Sequence, residues 1–397
     1  MKNDSNDYVI RVLESALAVA PSQWNALLAS QAAPTPFMRH EYLAAMEQSG
    51  SATPASGWTP RIVSLWRAGE LHAVCALYLK DHSYGEYVFD WAWANAYEQH
   101  GLAYYPKALA AVPFTPVPGS RLLAREAAAR SALVHAVLAW CQQEQQSSFH
   151  LLFGAPDDVA ACEEAGLMVR HTVQFHWTQR DDQPWLSFED FLGSLAQEKR
   201  KKIRQERRKV AEAGVNFRHS RGAAISEKDW NFFYRCYERT YYEHGNAPYL
   251  THDFFRRMAS TMPENWLLFV AERGGKPLAC SLIAIDSMPS SPDATPAAYG
   301  RYWGALERVD CLHFEACYYQ PLQWCIENGF GRFEGGAQGE HKMARALMPV
   351  KTHSAHWLAH PAFADAVERF LDREGAGIEN YLEHLDGRSP FKSGQGR

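Results

Sequence analysis

Two stretches of the sequence, WTPRIVSLWRAGELHAVCALYLKD at 58–81 and WLLFVAERGGKPLACSLIAID at 266–286, resemble each other. Each starts with tryptophan and has two runs rich in β-branched, aromatic and other apolar residues around a glycine turn. This pattern is typical of a β-hairpin. Placing Gly69 on Gly275 brings the apolar runs of the two stretches into register. The sequence therefore predicts one hairpin in each half of the chain.

A second likeness follows each hairpin in the same order. Residues 87–109 resemble residues 299–324, and each predicts a strand with an aromatic pair, a loop, and a helix carrying Tyr-Tyr near a proline. Two matches in the same order indicate a duplicated domain rather than a chance repeat.

Helices and strands are predicted along both halves from hydrophobic periodicity and turn residues. In the first half these are strand 8–14, helices 22–29 and 40–48, hairpin 61–80, a strand near 85–90, helix 125–146, strand 149–153, helix 157–165 and strand 167–178. In the second half they are helix 188–213, a strand near 215–219, helices 226–243 and 251–261, hairpin 266–286, strand 298–305, helix 313–328, strands 331–334 and 352–358, and helix 361–385.

This order predicts an α/β protein with α+β layering, built from two tandem duplicated domains. Each domain should contain a mixed, mostly antiparallel sheet flanked by helices. We expect the first domain at 1–180, the second at 186–386, and a flexible polar tail at 387–397.

Composition limits the class of protein further. The 397 residues are 47% hydrophobic and 21% charged, which excludes a largely disordered chain. The net charge of −5 does not favour binding of polyanions by the whole molecule, and no DNA partner is expected.

The sequence shows no secretion signal and no apolar run long enough for a membrane span, so a cytoplasmic location is expected. The eight cysteines form no CxxC pair, so we expect buried thiols and no metal site.

The decapeptide FEGGAQGEHK at 333–342 concentrates groups that can carry chemistry. Its spacing excludes a phosphate loop of the GxxxxGK[ST] type, a nucleophile elbow and a helical zinc-protease motif. What remains is a strand running into a flexible turn with general acid–base candidates, or an ordinary solvated loop. The reactive side chains are Glu334, Gln338, Glu340, His341 and Lys342.

Residues 199–209, KRKKIRQERRK, form a basic run with one acid, Glu206. On a helix the run is either a solvated basic face or an electrostatic site for a phosphate-rich partner. The residues expected to contact donor phosphates are Lys199, Lys202 and Arg204.

Two segments combine aromatic and polar residues. Asp90, Trp91 and Trp93 lie in the first, at 89–101, and Arg301 and Trp303 lie in the second, at 300–319. Such segments suit a cleft for a sugar or an amino acid, or an interface between domains.

Several of these motifs together resemble the FemAB-like proteins, bacterial proteins of peptidoglycan biosynthesis or recognition within the GNAT acyltransferase superfamily. The motifs include FMRHEYLAAMEQSG, FVAERGGKPLACSLIAID, LHFEACYYQ and FEGGAQGEHKMARALMP, and the resemblance covers nearly the whole chain. It implies two GNAT-type domains, of the acyl-CoA N-acyltransferase-like class, in tandem.

The resemblance also implies transfer of an acyl or aminoacyl group to an amine, with an aminoacyl-tRNA as donor and a peptidoglycan precursor as acceptor. Ordinary GNAT enzymes bind coenzyme A through a [RQ]xxGx[GA] turn, which LERVDCLHFEA and NAYEQHGLAYY do not contain. No cofactor is therefore assigned, although acyl-CoA stays open as a donor. Two alternatives remain, an acyl-CoA-dependent N-acetyltransferase of a small molecule and a non-catalytic module that recognises peptidoglycan or RNA.

Roles for the site residues follow from this reading. Glu340 or His341 should accept a proton, while Lys342 and backbone N–H groups at Gly335–Gly336 should stabilise negative charge. The residues expected to bind substrate are Arg301, Trp303, Glu334 and Gln338 in the second domain, and Asp90, Trp91 and Trp93 on the first-domain side of an interdomain cleft. The chemistry is expected in the second domain, because the first half has no counterpart of the loop.

Overall fold

The computed structural model describes residues 8–287, 295–336 and 339–392. Contacts divide the chain into two compact units. The described part of the first unit runs to Thr172 and also includes Thr352–Glu379, whereas the second contains Val173–Lys351 and continues from Asn380. The units therefore differ from the division expected at 180–186, because a late segment of the chain packs with the first unit.

Helices and strands alternate along the first half of the chain. Their bounds are β1 (Val9–Leu13), α1 (Pro21–Ala29), α2 (His40–Gln48), β2 (Trp58–Arg67), β3 (Glu70–Lys80), α3 (Trp91–Gln99), β4 (Lys107–Ala110), β5 (Leu122–Ala124), α4 (Ala127–Gln143), β6 (Ser148–Leu152), α5 (Pro156–Glu164) and β7 (Met168–Thr178).

The second half has a similar succession. Its bounds are α6 (Phe188–Ser194), α7 (Gln197–Glu212), β8 (Val215–Arg221), α8 (Glu227–Glu243), α9 (His252–Thr261), β9 (Trp266–Arg273), β10 (Lys276–Ile285), β11 (Ala297–Ala305), α10 (Leu312–Phe314), a π-helical turn (Glu315–Tyr319), α11 (Gln320–Glu327), β12 (Arg332–Glu334), a 3₁₀ turn (Glu340–Arg345), β13 (Met348–Leu358) and α12 (Pro361–Asp386). No helix among the described residues is long and apolar enough to cross a membrane.

The strands follow the same order in both units. In the first unit the order is β1-β2-β3-β4-β6-β13, and in the second it is β8-β9-β10-β11-β12-β7. In each, the fourth and fifth strands pair in parallel and the other neighbours pair antiparallel. This shared topology confirms the predicted fold class and the predicted duplication.

The hairpins that revealed the repeat have matching two-residue loops. Arg67 pairs with Glu70 in one, and Arg273 pairs with Lys276 in the other. Both loop residues have positive φ in each hairpin, with 82° at Gly69 and 75° at Gly275. This conformation matches the right-handed twist of paired strands, and it explains why glycine stands in both turns.

The predicted strand near 85–90 is wrong. The chain turns there, with positive φ at Gly85 and Tyr87, and helix α3 begins at Trp91. The likeness between 87–109 and 299–324 is therefore not a structural equivalence. By sheet order the counterpart of β11 is β4, which starts only at Lys107. Recurrent aromatic residues produced the false match, because aromatic residues fit helices, loops and strands alike once they are buried.

The predicted single helix 188–213 is also wrong, because the chain breaks into α6 and α7. Leu195 is extended, with ψ 154°, and forms a bridge with Phe391. The Ala196 N–H donates to the carbonyl of Pro390 at 2.9 Å. The described beginning of the expected tail thus hydrogen-bonds across the break and interrupts the helical pattern. The other predicted helices and strands lie within about four residues of the expected bounds.

Gly304 in β11 is the position at which a side chain would be least tolerated in the second unit's sheet. A Cβ there would lie 2.1 Å from the carbonyl oxygen of Cys236 in α8, and a helix backbone cannot move aside as a side chain can. We expect Gly304→Ala to lower the free energy of unfolding by about 1–3 kcal/mol, measured by urea denaturation. Gly193→Ala in α6 is the control, because a Cβ there meets open space. Equal stabilities of the two variants would contradict this account of the packing.

Candidate active site

The loop between β12 and β13 is shaped by glycines. A Cβ on Gly335 would lie 2.4 Å from Leu347 Cδ2, so the chain can pass there only without a side chain. Gly339 has φ 126°, and a Cβ on it would lie 2.5 Å from the ring of His341. The 3₁₀ turn Glu340–Arg345 follows and ends at Ala346, whose φ is 61°. These constraints fix the direction in which the side chains of the turn point.

Two of the three predicted catalytic residues line a cavity of about 370 Å³ in the second unit. Glu340 and His341 lie on one side of it, and Lys199 of α7 lines it too. The remaining lining residues are Glu198, Met343, Ala344, Arg388 and Ser389. The structure thus brings together a residue of the predicted phosphate site and two of the predicted catalytic loop.

Glu340 is held by two side-chain partners, Arg388 and Tyr381. Arg388 donates to one carboxylate oxygen, and the Tyr381 hydroxyl donates to the other at 3.4 Å. The arrangement favours a role for Glu340 in organising charge around the cavity.

His341 has the properties of a proton acceptor. Desolvation lowers its pKa, and the positive charges of Lys342 and Arg345 lower the pKa further. The imidazole is therefore neutral at neutral pH. The Tyr318 hydroxyl lies 3.4 Å from Nε2 of His341 and can orient the ring.

A series of neighbouring aromatic rings leads from His341 to Trp303 within the second unit. The ring of Tyr318 lies 5.7 Å from that of His313, which lies 5.4 Å from that of Trp303. Desolvation by packed neighbours, together with the nearby His341 and cationic side chains, lowers the pKa of His313 to about 4. The predicted residue Trp303 is therefore linked to His341 through two intervening rings.

Lys342 lies behind the loop rather than among the residues that line the cavity. Its side chain is buried, and Nζ donates to the carbonyl oxygen of Gly336 at 3.0 Å. Burial lowers its pKa to about 8. The bond ties the two ends of the loop together, and the charge acts on His341 at short range.

Sequence reasoning assigned no role to a buried ion pair behind the turn. Arg345 Nη2 donates to both carboxylate oxygens of Glu206, at 3.0 and 3.1 Å, and Tyr319 donates its hydroxyl to the same carboxylate. Arg345 also donates to the carbonyl oxygen of His341 at 3.0 Å. Glu206 is the one acid in the basic run. Its presence among so many cations was the feature of the sequence that could have indicated this ion pair.

The predicted phosphate-binding residues are divided between different surfaces. Lys199 lines the cavity beside His341, with Nζ 3.0 Å from Glu198. Lys202 is exposed on α7, and Arg204 pairs with Glu189 at 2.5 Å. Arg204 lines a separate groove of about 570 Å³, whose other lining residues are Gln197, Arg200, Lys201, Gln205 and Arg208.

The other predicted residues of the second unit are separate from the cavity lining. Glu334 is buried at the end of β12, 3.1 Å from Arg332 Nε and 3.8 Å from His176. Arg301 on β11 lies over the ring of Tyr302, 5.2 Å from its centroid. Gln338 lies outside the described residues. Substrate contacts by Arg301, Trp303 and Glu334 stay predictions.

In the first unit, Asp90 belongs to a buried network of charges. Lys107 donates to Asp90, and also to Glu86 at 2.8 Å and Ser83 at 2.8 Å. Burial raises the pKa of Asp90, but the charge of Lys107 outweighs this effect, and the net pKa is lowered. Burial raises the pKa of Glu86 to about 7 against the opposing charge of Lys107. One ammonium group thus donates to two buried carboxyl groups.

The network continues through hydroxyl and imidazole groups. Tyr104 donates to Asp90 at 2.6 Å and lies 3.0 Å from His150 Nε2. The Nδ1 atoms of His150 and His356 lie 2.8 Å apart, and burial lowers the pKa of both rings. Because two imidazoles share one proton at that contact, one ring donates and the other accepts.

The two predicted tryptophans have different surroundings. Trp93 is buried in the first unit, with its ring 5.0 Å from that of His356 at a right angle. Trp91 is 37% exposed and contacts the ring of Tyr84 edge-on, at 5.2 Å between centroids. Both lie on α3, so the helix directs them to different sides. Their contact with substrate stays a prediction.

The repeated strand order defines a tandem α/β protein built from two units of the same topology. The chain belongs to the FemAB-like family, described as peptidoglycan biosynthesis/recognition, whose family model matches residues 15–393.

Solved structures agree on the fold. FemX aligns with a TM-score of 0.53 at 10% identity, covering 90% of this chain and 100% of that one. The C-terminal domain of a putative lysylphosphatidylglycerol synthetase from Agrobacterium fabrum aligns with a TM-score of 0.52 at 10% identity, covering 87% and 94%. L-PGS from Bacillus licheniformis aligns with a TM-score of 0.51 at 11% identity, covering 89% and 97%. A sequence search among curated proteins finds no match.

Lys107→Met tests the buried network of the first unit. Removing the ammonium leaves Asp90 and Glu86 buried together without the group that donates to both, so we expect a loss of about 3–5 kcal/mol in the free energy of unfolding. Urea denaturation at pH 7 measures it. Glu70→Gln is the control, because Glu70 forms an exposed pair with Arg125 and should change stability by less than about 1 kcal/mol. A loss for Lys107→Met no larger than that of the control would refute the network's role.

Glu86→Gln tests the raised pKa of Glu86. A carboxyl group with a folded-state pKa of about 7 and an ordinary value of 4.5 stabilises the fold fully below 4.5, and this contribution is lost as pH rises through 7. The wild type should therefore lose stability relative to Glu86→Gln between those pH values, and the difference should level off above them. Unfolding curves at half-unit pH steps measure this, and a pH-independent difference would contradict the assignment.

Proposed function

We propose that this protein transfers an acyl or aminoacyl group to the amine of a peptidoglycan precursor, with an aminoacyl-tRNA as donor. The observation that carries the proposal is a neutral histidine, His341, in a cavity whose wall includes Lys199 of the basic helix α7. A proton acceptor and a cation at one cavity are what amine acylation by an anionic donor requires. The family's description, peptidoglycan biosynthesis/recognition, supports the acceptor class.

The chemistry balances without a further reactant. The acceptor nitrogen attacks the carbonyl carbon of the donor ester, and a C–N bond forms as the C–O bond to the ribose breaks. His341 takes the proton that the nitrogen loses and returns it to the leaving hydroxyl oxygen. The products are an amide and a free tRNA 3′ end. Because His341 starts and ends neutral, no net proton is consumed.

Both charged neighbours of His341 have a place in this scheme. Glu340, paired with Arg388, can accept a hydrogen bond from the incoming amine at the cavity. Lys342 holds the loop through Gly336 and adds positive charge where negative charge develops on the carbonyl oxygen. Arg301 and Gln338 remain candidates for orienting the substrate.

The donor side of the proposal rests on α7. The groove with Arg200, Lys201, Arg204 and Arg208 collects four cationic side chains on one helix. Since the net charge of the chain is −5, this attraction for phosphate is local to the helix. Lys199, which directly precedes Arg200 in the chain, would guide the 3′ end of the donor into the cavity.

Acyl-coenzyme A fits the second unit less well than an aminoacyl-tRNA does. The helical stretch after β11 begins at Leu312, and the residues that open it are Arg308, Val309, Asp310 and Cys311. None is glycine, and Cys311 has φ 65°. Side chains therefore occupy the turn on which a pyrophosphate would need bare backbone, and Asp310 adds a repelling charge. No step of the scheme uses coenzyme A.

His341→Ala tests the proton acceptor. We expect kcat to fall by about 10²–10⁴-fold in a transfer assay with radiolabelled aminoacyl-tRNA and a peptidoglycan precursor, because general-base catalysis contributes that much. The wild-type rate should fall with decreasing pH only below the ordinary pKa of histidine, since the pKa of His341 is lowered. His244→Ala, on an exposed histidine directly after α8, is the control. Full activity of His341→Ala would remove His341 from the mechanism.

Salt dependence separates the donor classes. Filter binding of aminoacyl-tRNA at two salt concentrations should show weaker binding at the higher one, and Arg204→Ala should reduce the slope of log affinity against log salt by about one. Calorimetry with acetyl-CoA should show no saturable binding. Saturable acetyl-CoA binding with salt-independent tRNA binding would instead favour the small-molecule N-acetyltransferase, and tight precursor binding without turnover would favour the recognition module.

A further inference from the structure

We infer that Glu206 and Arg345 are positioning residues that hold His341 at a fixed place against helix α7. The inference rests on the proposed function, since it names what keeps the proton acceptor in register with the donor side of the cavity. Neither side chain lines the cavity, so neither is expected to touch substrate.

Arg345 connects the turn to α7 through the two terminal nitrogens of its guanidinium group. Nη2 engages both oxygens of Glu206 at 3.0 and 3.1 Å, and Nη1 donates to the carbonyl oxygen of His341 at 3.0 Å. The guanidinium also lies over the ring of Phe314, 3.5 Å from its centroid. Arg345 is 3% exposed and Glu206 is 8% exposed. A buried pair of this kind tolerates little displacement, because moving either partner leaves an unpaired charge.

The two walls of the cavity are therefore joined from behind. One wall is α7, which supplies Lys199, and the other is the 3₁₀ turn, which supplies His341. Glu206 lies on α7 two turns after Lys199, and Arg345 lies one turn after His341. The ion pair fixes the distance between the proton acceptor and the basic helix.

The π-helical turn at Glu315–Tyr319 completes the arrangement. Successive residues of this turn reach two different targets: Tyr318 reaches the His341 ring at 3.4 Å, and Tyr319 donates to Glu206. π-helical turns occur frequently at functional sites. Here the turn lets one short segment support both the imidazole and its anchor.

The pKa of His341 distinguishes positioning by the charged pair from positioning by packing alone. The charge of Arg345 lowers the pKa of His341, and so does that of Lys342. The other titratable or charged groups that face His341 are Glu340 on its own turn, Glu198 and Lys199 on α7, His313 and Tyr318 on the stretch after β11, and Arg388 near the C-terminus. Removing the charge of Arg345 should therefore raise the pKa of His341, whereas removing that of Glu206 should not.

The experiment is an NMR titration of His341 in ¹⁵N-histidine-labelled protein, assigned by its loss in His341→Ala, together with the kinetics of transfer. We expect Arg345→Gln to raise the pKa of His341 and Glu206→Gln to leave it unchanged or lower it. Both should lower kcat by about 10–100-fold with little change in KM, because a displacement of about 1 Å costs that much. Combining the two changes should cost little more than either one alone.

Two further variants separate charge from geometry. Arg345→Lys keeps the charge but loses the fork, so kcat should fall while the pKa of His341 stays low. Tyr319→Phe removes one hydroxyl only and should lower kcat by a few-fold in a protein that still folds. Arg218→Gln breaks another ion pair of the same unit, with Asp229 at 2.6 Å, and should leave both readouts unchanged.

The outcomes separate the inference from the function on which it rests. An unchanged His341 pKa in Arg345→Gln, or wild-type kcat in both charge variants, would overturn the positioning role. The titration needs no turnover, so a wild type without transfer activity but with the expected shifts would reject the proposed function alone.

Discussion

Each unit of this protein depends on a strand supplied by the other half of the sequence. In the first unit, β6 pairs with Ser354–Leu358 of β13, and in the second, β12 pairs with His176–Thr178 of β7. An open sheet edge leaves backbone N–H and C=O groups unpaired. The segment of β13 pairs with these groups on β6, and the segment of β7 pairs with them on β12. This exchange is also why residues 352–379 lie with the first unit.

The exchanged strand β7 also fixes the start of the loop between β12 and β13. The N–H of Gly335 donates to the carbonyl of Phe175 at 3.3 Å, so the loop leaves β12 while still attached to β7. At its other end, the loop enters β13 after the left-handed Ala346. Between these fixed points, glycines and the bond from Lys342 to Gly336 leave the turn little freedom, and His341 faces the cavity.

Buried charge is arranged differently in the two units. The first unit places Lys107 between Asp90 and Glu86 and extends the network to a pair of neutral histidines. The second uses Arg345 and Glu206 to anchor a turn. In both, an isolated charge would be costly in a low-dielectric interior, and Lys107 and Arg345 each have a carboxylate partner. In the second unit, the buried ion pair also holds the turn that carries His341, a residue of the cavity lining.

The sequence by itself determined the repeated hairpins, the fold class, the family and the concentration of reactive groups at 334–342, because glycine turns and hydrophobic periodicity are local properties. It also marked Glu206 as the one acid in a basic run, without indicating a partner. Only the tertiary structure decided that the helix 188–213 breaks at Leu195, that α3 begins where a strand was expected, and that Lys199 and His341 share a cavity while Lys342 does not line it. These outcomes depend on contacts between residues far apart in the chain, and the free energy of such contacts exceeds the weak local preferences that a sequence pattern records.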